Sequence, residues 1–370
     1  MKVVRNIIIV IGILCTMMSI YDFKSFAATP LKKMRPVGIM STAVDGNVVI
    51  TWEAMKQADG YRIYEALPDQ KYQLVCQTKK CKIVLRERKK GLYYRYYVKA
   101  YKDTSNGKKI YSKQSKKVSV YIPQKGISTI KNFLQTAIAP VGSTMYVWGG
   151  GWNKADTAAG KEAKRTGLSV AWRTFAKNKK ASYNYNNYRY QIHDGLDCSG
   201  YVGWSIYNVM NTTNNKGGYV YSASKQAKKF AELGFGSYRG SEKVKNYKAG
   251  DIMSSTCSCC GHVWIVIGQC QDGSVVLVHA SPPGVQINGT TTPGGKKNSQ
   301  AYRLAKKYMK QYYPAWYKKF SQVSKGPAYL SHYGQMRWET TGEEVYLSDP
   351  EGYQNMSAKA ILKDLYKTVK

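Results

Sequence analysis

Acidic residues are scarce in this chain of 370 residues: 22 Asp and Glu stand against 57 Lys and Arg, for a formal net charge of +35. Such an excess predicts attraction to polyanions, weakening as salt rises. Long apolar runs are missing after the N-terminus. No later segment offers the ~18 uncharged apolar residues a spanning helix needs, which excludes an integral membrane enzyme. Low hydrophobicity is missing too: 43% of residues are hydrophobic, which excludes disorder as the main state. Phenylalanine is rare, with 7 residues against 32 tyrosines, a bias toward half-wet surfaces. Zinc-finger spacing, a basic zipper and ribonucleoprotein motifs are all absent, so charge alone does not point to nucleic acid. Histidine numbers only four, so the place of each is informative.

Residues 1–28 read as a secretory signal. Lys2 and Arg5 open it, Ile7 to Ile20 form a short apolar run, and Ser25-Phe26-Ala27-Ala28 offers a cleavage site. An uncleaved anchor is the alternative. Either way the chain is expected to work outside the cytoplasm, secreted or bound to a wall. An exported cation is most simply held by anionic wall polymers or acidic lipid. The charge is spread out, with 21 cations and 7 anions in 29–122 and 33 cations and 14 anions in 123–370. The length suits two domains or three small ones.

Residues 29–122 read as strand after strand. Val48 to Trp52 follows the turn residues Asp45-Gly46-Asn47, and Tyr61 to Tyr64 follows Asp59-Gly60. Tyr94, Tyr96, Val98 and Ala100 alternate with Arg95, Tyr97 and Lys99. Short strands punctuated by turns predict an all-β sandwich. The segment resembles a fibronectin type III module, with Trp52 at the core position of the second strand and Tyr94 at a corner. Its expected role is that of a spacer or wall-docking module.

After a linker at Pro123 to Gly126, helical spacing runs from Ile127 to Ile138 and stops before Pro140. Met145-Tyr146-Val147-Trp148 then leads into three glycines. Cys198 follows Gly195-Leu196-Asp197, and Val202, Ile206, Val209 and Met210 continue from it at helical spacing. A thiol at a helix start meets free N–H groups, which predicts a lowered pKa and a reactive thiolate. His262 opens an apolar strand and His279 ends the next one, after a turn at Asp272-Gly273. Antiparallel pairing would bring the two imidazoles together, one as base for the thiol and one to orient it.

With these motifs in order, residues 127–285 resemble the NlpC/p-sixty superfamily, secreted papain-like cysteine peptidases that cut bacterial peptidoglycan. Tyr146 to Gly150, Asp197 to Gly200, and Gly261 to Val263 preceded by Gly250-Asp251 carry the likeness. It implies an α+β domain in 123–370, with a nucleophile-bearing helix on an antiparallel sheet. It implies Cys198 as nucleophile, His262 as general base and acid, and His279 as the orienting residue. Tyr146 would line the site and help stabilise an oxyanion. Asp197 and Ser199 match positions that hold the free amine of a stem peptide. The implied substrate is the γ-D-glutamyl–diamino acid bond, with peptidoglycan as partner and neither cofactor nor metal. An N-acetylmuramoyl-L-alanine amidase on the same fold, or a non-catalytic wall-binding protein, are the alternatives.

Two stretches depart from the family pattern. Residues 152–194 read as an aromatic-rich insertion beside the cleft. Residues 286–370 read as a C-terminal extension of unassigned role, with helices around Ala301 to Tyr313 and Ala358 to Tyr366. Besides Cys15 and Cys198, six cysteines remain: Cys76, Cys81, Cys257, Cys259, Cys260 and Cys270. A Cys76–Cys81 disulfide is sterically reasonable, and disulfides or free thiols both remain open. A zinc site at Cys257 to Cys260 matches no common spacing and would crowd His262.

Overall fold

The structure, a computed structural model, describes residues 29–44, 46–122, 128–210, 217–256 and 261–367. The expected signal at 1–28, the linker at 123–126 and Cys257, Cys259 and Cys260 lie outside the described residues. The strands of the first unit are β1 (Met40–Val44), β2 (Asn47–Thr51), β3 (Gly60–Ala66), β4 (Gln73–Thr78), β5 (Lys82–Leu85), β6 (Leu92–Asp103), β7 (Lys109–Tyr111) and β8 (Val118–Ile122). One sheet runs β1-β2-β5. The other runs β4-β3-β6-β7, with β8 also paired to β6. This is a fibronectin type III-like β-sandwich, as the alternation predicts. Val48, Ile50, Ile63, Tyr96, Val98 and Ala100 are fully buried between its sheets. Trp52 is buried against Tyr61, with ring centres 5.4 Å apart. The Tyr94 hydroxyl donates to the Lys89 carbonyl at 3.3 Å and so pins the corner that its position implies. Cys76 and Cys81 are free thiols.

The second unit begins with β9 (Ser128–Thr129) and α1 (Ile130–Ile138). Next come β10 (Met145–Tyr146), α2 (Val170–Lys177), β11 (Gly195–Leu196), α3 (Cys198–Tyr207) and α4 (Gln226–Glu232). The sheet strands follow: β12 (Gly236–Arg239), β13 (Ile252–Ser255), β14 (Val263–Gln269), β15 (Val275–Ser281) and β16 (Gly284–Gly289). The chain closes with α5 (Gln300–Tyr312), α6 (Pro314–Lys319), α7 (Ala328–Ser331), β17 (Tyr333–Trp338), β18 (Leu347–Ser348) and α8 (Ala358–Leu365).

Eight of these strands form one sheet in the order β11-β10-β16-β15-β14-β13-β17-β12. All of its pairs are antiparallel except β10 with β11. Strands β13 to β16 are a meander. They read as near-continuous apolar runs because both faces are covered: Val263, Ile265 and Ile267 join one core, Trp264 and Val266 the other. Helix α3 packs on β14 and β15.

The region 286–370 is not an appendage to this sheet. It supplies most of β16 and all of β17, which lies between β12 and β13. The Gly250-Asp251 step is tied to it. Buried Asp251 accepts from Arg337 at 2.7 Å and from Gln335 at 2.8 Å, and Trp338 donates to the Gly250 carbonyl at 2.8 Å. Among the described residues no helix is long and apolar enough to cross a membrane.

Candidate active site

Helix α3 starts at Cys198 because Asp197 caps it. The Asp197 carboxylate accepts from the Gly200 N–H at 2.7 Å and from the Ser199 hydroxyl at 2.9 Å. Its second oxygen accepts from the Gly149 N–H at 3.2 Å. Ser199 in turn accepts from the Trp152 indole at 3.0 Å. The two glycine-containing motifs are therefore one object: the loop after β10 lies directly on the helix start. A Cβ on Gly200 would collide with the Gly150 carbonyl oxygen, and Gly151 adopts a φ of +96°. Asp197 and Ser199, which the family likeness reads as amine-holding residues, here have their side chains engaged in this lock.

Burial lifts the Asp197 carboxyl to about 7, although the Gly200, Ser199 and Gly149 donors favour its anion. Asp197→Ala is expected to cost about 2–4 kcal/mol, from a lost cap and two orphaned buried donors. A carboxyl raised in the fold contributes stability present below its unfolded pKa of 3.8 and lost as pH rises through about 7. Urea unfolding should therefore show a larger loss at pH 5 than at pH 8. Equal stability of mutant and wild type at both values would contradict the cap.

Cys198 is 5% exposed, and the backbone N–H groups of Val263, Ser199 and Cys198 itself favour its thiolate. Burial outweighs them. Together with the Asp197 charge it pushes the thiol up to about 12. The lowered thiol pKa expected from a helix start does not hold in this closed site, because desolvating an anion here costs more than three backbone dipoles return.

His262 directly precedes β14, and its Nε2 lies 2.9 Å from Nδ1 of His279 on β15. The antiparallel register, with Ile265 opposite Val278, delivers the start of one strand to the end of the other. His279 is fully buried. Its Nε2 lies 3.2 Å from the Asn288 side-chain nitrogen, while the Asn288 oxygen is buried without a partner. Exchanging that amide's oxygen and nitrogen, which heavy-atom positions do not distinguish, resolves the chain of donors. His262 then donates from Nε2 to His279, and His279 donates from Nε2 to the Asn288 oxygen. This tautomer leaves Nδ1 of His262 free to accept a thiol proton. Burial holds His262 down at about 3 and His279 well below its ordinary range, with Lys325 adding to both shifts. At neutral pH the closed site therefore holds a neutral thiol and two neutral imidazoles.

Tyr146, at the end of β10, is buried, and its ring meets Tyr185 edge-on at 5.3 Å. Its hydroxyl pKa is raised, first by burial and then by Cys198 and Asp197. The Tyr146 carbonyl accepts from Tyr183 at 2.6 Å. The stretch 152–194 thus packs on Tyr146 and on α3, where its Trp172 meets Trp204 at 5.8 Å.

Four further residues belong here and were not singled out from sequence. Asn288 stands on β16 in a position diagonal to His279. An alternating strand after the turn at Pro282 and Pro283 was the signal that could have placed it. Tyr329 lies 5.8 Å from His262 and 6.2 Å from His279, ring centre to ring centre. Tyr333 lies 6.4 Å from His262. Lys325 lies over the Tyr329 ring, with Nζ 5.9 Å from its centre, and its charge disfavours protonation of both histidines. Three of the four lie beyond any local motif, brought in by the chain's return to the sheet. A cavity of about 290 Å³ lies elsewhere, between the two units, lined by Arg35, Lys116, Arg173 and Tyr313 among others.

No protein-family model matches the chain, and no curated protein matches it. Parts of it are similar to solved fibronectin type III structures. An Fn3-like protein from Clostridium thermocellum is 18% identical, over 25% of this chain and 96% of that one, at a TM-score of 0.20. A human fibronectin type III domain is 16% identical, over 25% and 74%, at 0.21. A structure described as a myokine is 18% identical, over 25% and 99%, at 0.21. These likenesses extend over a quarter of the chain and say nothing of activity.

Proposed function

We propose that the chain is a secreted, wall-associated cysteine peptidase that cuts peptidoglycan stem peptides at the γ-D-glutamyl–diamino acid bond. The observation that supports it is the relay of His262 and His279 at 2.9 Å, with Asn288 beyond it, placed where the backbone on either side of His262 meets Cys198: Sγ lies 4.0 Å from the Gly261 carbonyl oxygen, and the Val263 N–H favours its thiolate. Nδ1 of His262 takes the Cys198 proton as the sulfur attacks the scissile carbonyl carbon. The oxyanion is received by the Cys198 backbone N–H and the Tyr146 hydroxyl. The C–N bond breaks as His262 returns the proton to the leaving amine. Water, deprotonated by His262, then opens the thioester and restores the thiol. His279 keeps the ring of His262 in the productive tautomer. Hydrolysis of a soluble synthetic stem peptide tests this reading, and an intact peptide after prolonged incubation would count against it.

Among its described residues the sandwich has no comparable cluster, and its charge suits retention on anionic wall polymers. Binding to purified wall is expected to fall steeply from low salt to 1 M, where the screening length shrinks to about 3 Å. Binding that is indifferent to salt in a sedimentation assay would remove the electrostatic part of the account.

A further inference from the structure

The Lys325 ammonium stands beside the site without a role in the chemistry above. Its backbone is clamped to the end of β16: the Lys325 N–H donates to the Gly289 carbonyl at 2.9 Å, and the Lys325 carbonyl accepts from Thr291 at 2.7 Å. Nζ lies 5.9 Å from the centre of the Tyr329 ring, which itself contacts both imidazoles. The side chain is half-buried, and burial draws its pKa down to about 8. Among the described residues no carboxylate forms an ion pair with it. Its charge acts on His262 and His279. A fixed cation there opposes catalysis, because His262 must become imidazolium when it takes the thiol proton. An anion brought by the substrate would cancel that opposition.

We propose that Lys325 receives a carboxylate of the substrate, carried by the residue whose amine is released. The inference rests on the peptidase reading above. The amine side is inferred from the leaving-group step: the imidazole hands its proton to the leaving amine, and Lys325 lies over the Tyr329 ring that contacts both imidazoles. Recognition and activation then become one event. Until the carboxylate arrives, the site stays neutral; once it pairs with Lys325, the imidazolium is no longer disfavoured. A stem that ends at the diamino acid, with that carboxyl free, fits this requirement, and its amide does not.

Iodoacetate and iodoacetamide test the charge without any peptide hydrolysis, because they differ only in a carboxylate beside the carbon that sulfur attacks. Rates at Cys198, followed by mass spectrometry of the full chain, should give an iodoacetate-to-iodoacetamide ratio that falls about fivefold in Lys325→Met. Lys325→Arg should keep the wild-type ratio. An unchanged ratio in a folded Lys325→Met protein overturns the proposal. Stem peptides with the amine-side carboxyl free or amidated test the placement: wild-type kcat/KM should favour the free acid, and Lys325→Met should lose the preference. Equal kcat/KM for the two in the wild type overturns the placement. A protein that shows the expected alkylation ratio yet cuts no stem peptide would refute the peptidase reading and leave the charge assignment standing.

Discussion

Replacing Cys198 by Ala is expected to lower stem-peptide turnover by on the order of 10⁴ to 10⁶, while folding and wall retention stay as in the wild type. The proposed mechanism forms a thioester, and a methyl group cannot attack a carbonyl. The structural effect should be small. Cys198 is the first residue of α3, its cap comes from Asp197, and Ala is the best helix former. The sulfur's loss leaves a gap of about one methyl group, on the order of 1 kcal/mol. Turnover and the thermal midpoint should be measured on the same preparation. Near-normal turnover in a Cys198→Ala protein would end the cysteine-peptidase reading.

The histidine relay gives the second large effect. His262→Ala should be nearly as damaging as Cys198→Ala, and the double variant no worse than either, because nucleophile and base act as a unit. His279→Ala should cost less, about 10² to 10³ in kcat, since the base remains but its ring and tautomer are no longer held. His279→Asn should recover part of that loss, because an amide can accept from Nε2 of His262. Asn288 sets a further check: the relay needs its side-chain oxygen to accept from His279. Asn288→Ala should therefore reduce turnover in the same direction as His279→Ala. Rates must be corrected for folded fraction, because His279 is fully buried and its removal opens a void. Normal turnover by His279→Ala would leave Cys198 and His262 in place and make His279 a structural strand residue.

Local pattern carried much of this. The alternation from Tyr94 to Ala100 and the turn residues before Val48 and Tyr61 point to the sandwich that the structure contains. Helical spacing from Ile127 to Ile138, and after Cys198, points to α1 and α3, although α1 starts only at Ile130, after β9. The pairing of His262 with His279 follows from two apolar strands joined by a short turn. What sequence did not expose depends on distance along the chain or on burial. Tyr329 and Tyr333 reach the histidines because β17 returns to lie beside β13, and Lys325 reaches Tyr329 because its backbone is tied to the end of β16; neither pairing has a local signature. The thiol pKa went the other way from expectation because a helix start is visible in sequence and the closure over it is not. Asp197 and Ser199 showed the same gap: their spacing is legible, but their hydrogen bonds to Gly149 and Trp152 cross some fifty residues.

Mass spectrometry of fragments released from purified peptidoglycan tests the central claim most directly. The account predicts stems split at the γ-glutamyl bond, with a new free amine on the diamino acid and the L-alanyl-D-glutamyl remnant still attached to muramate. The Cys198→Ala protein should release none of these fragments. Whole stems freed from muramate would instead make the enzyme an amidase, and a wall left intact by the wild-type protein would contradict the peptidase reading itself.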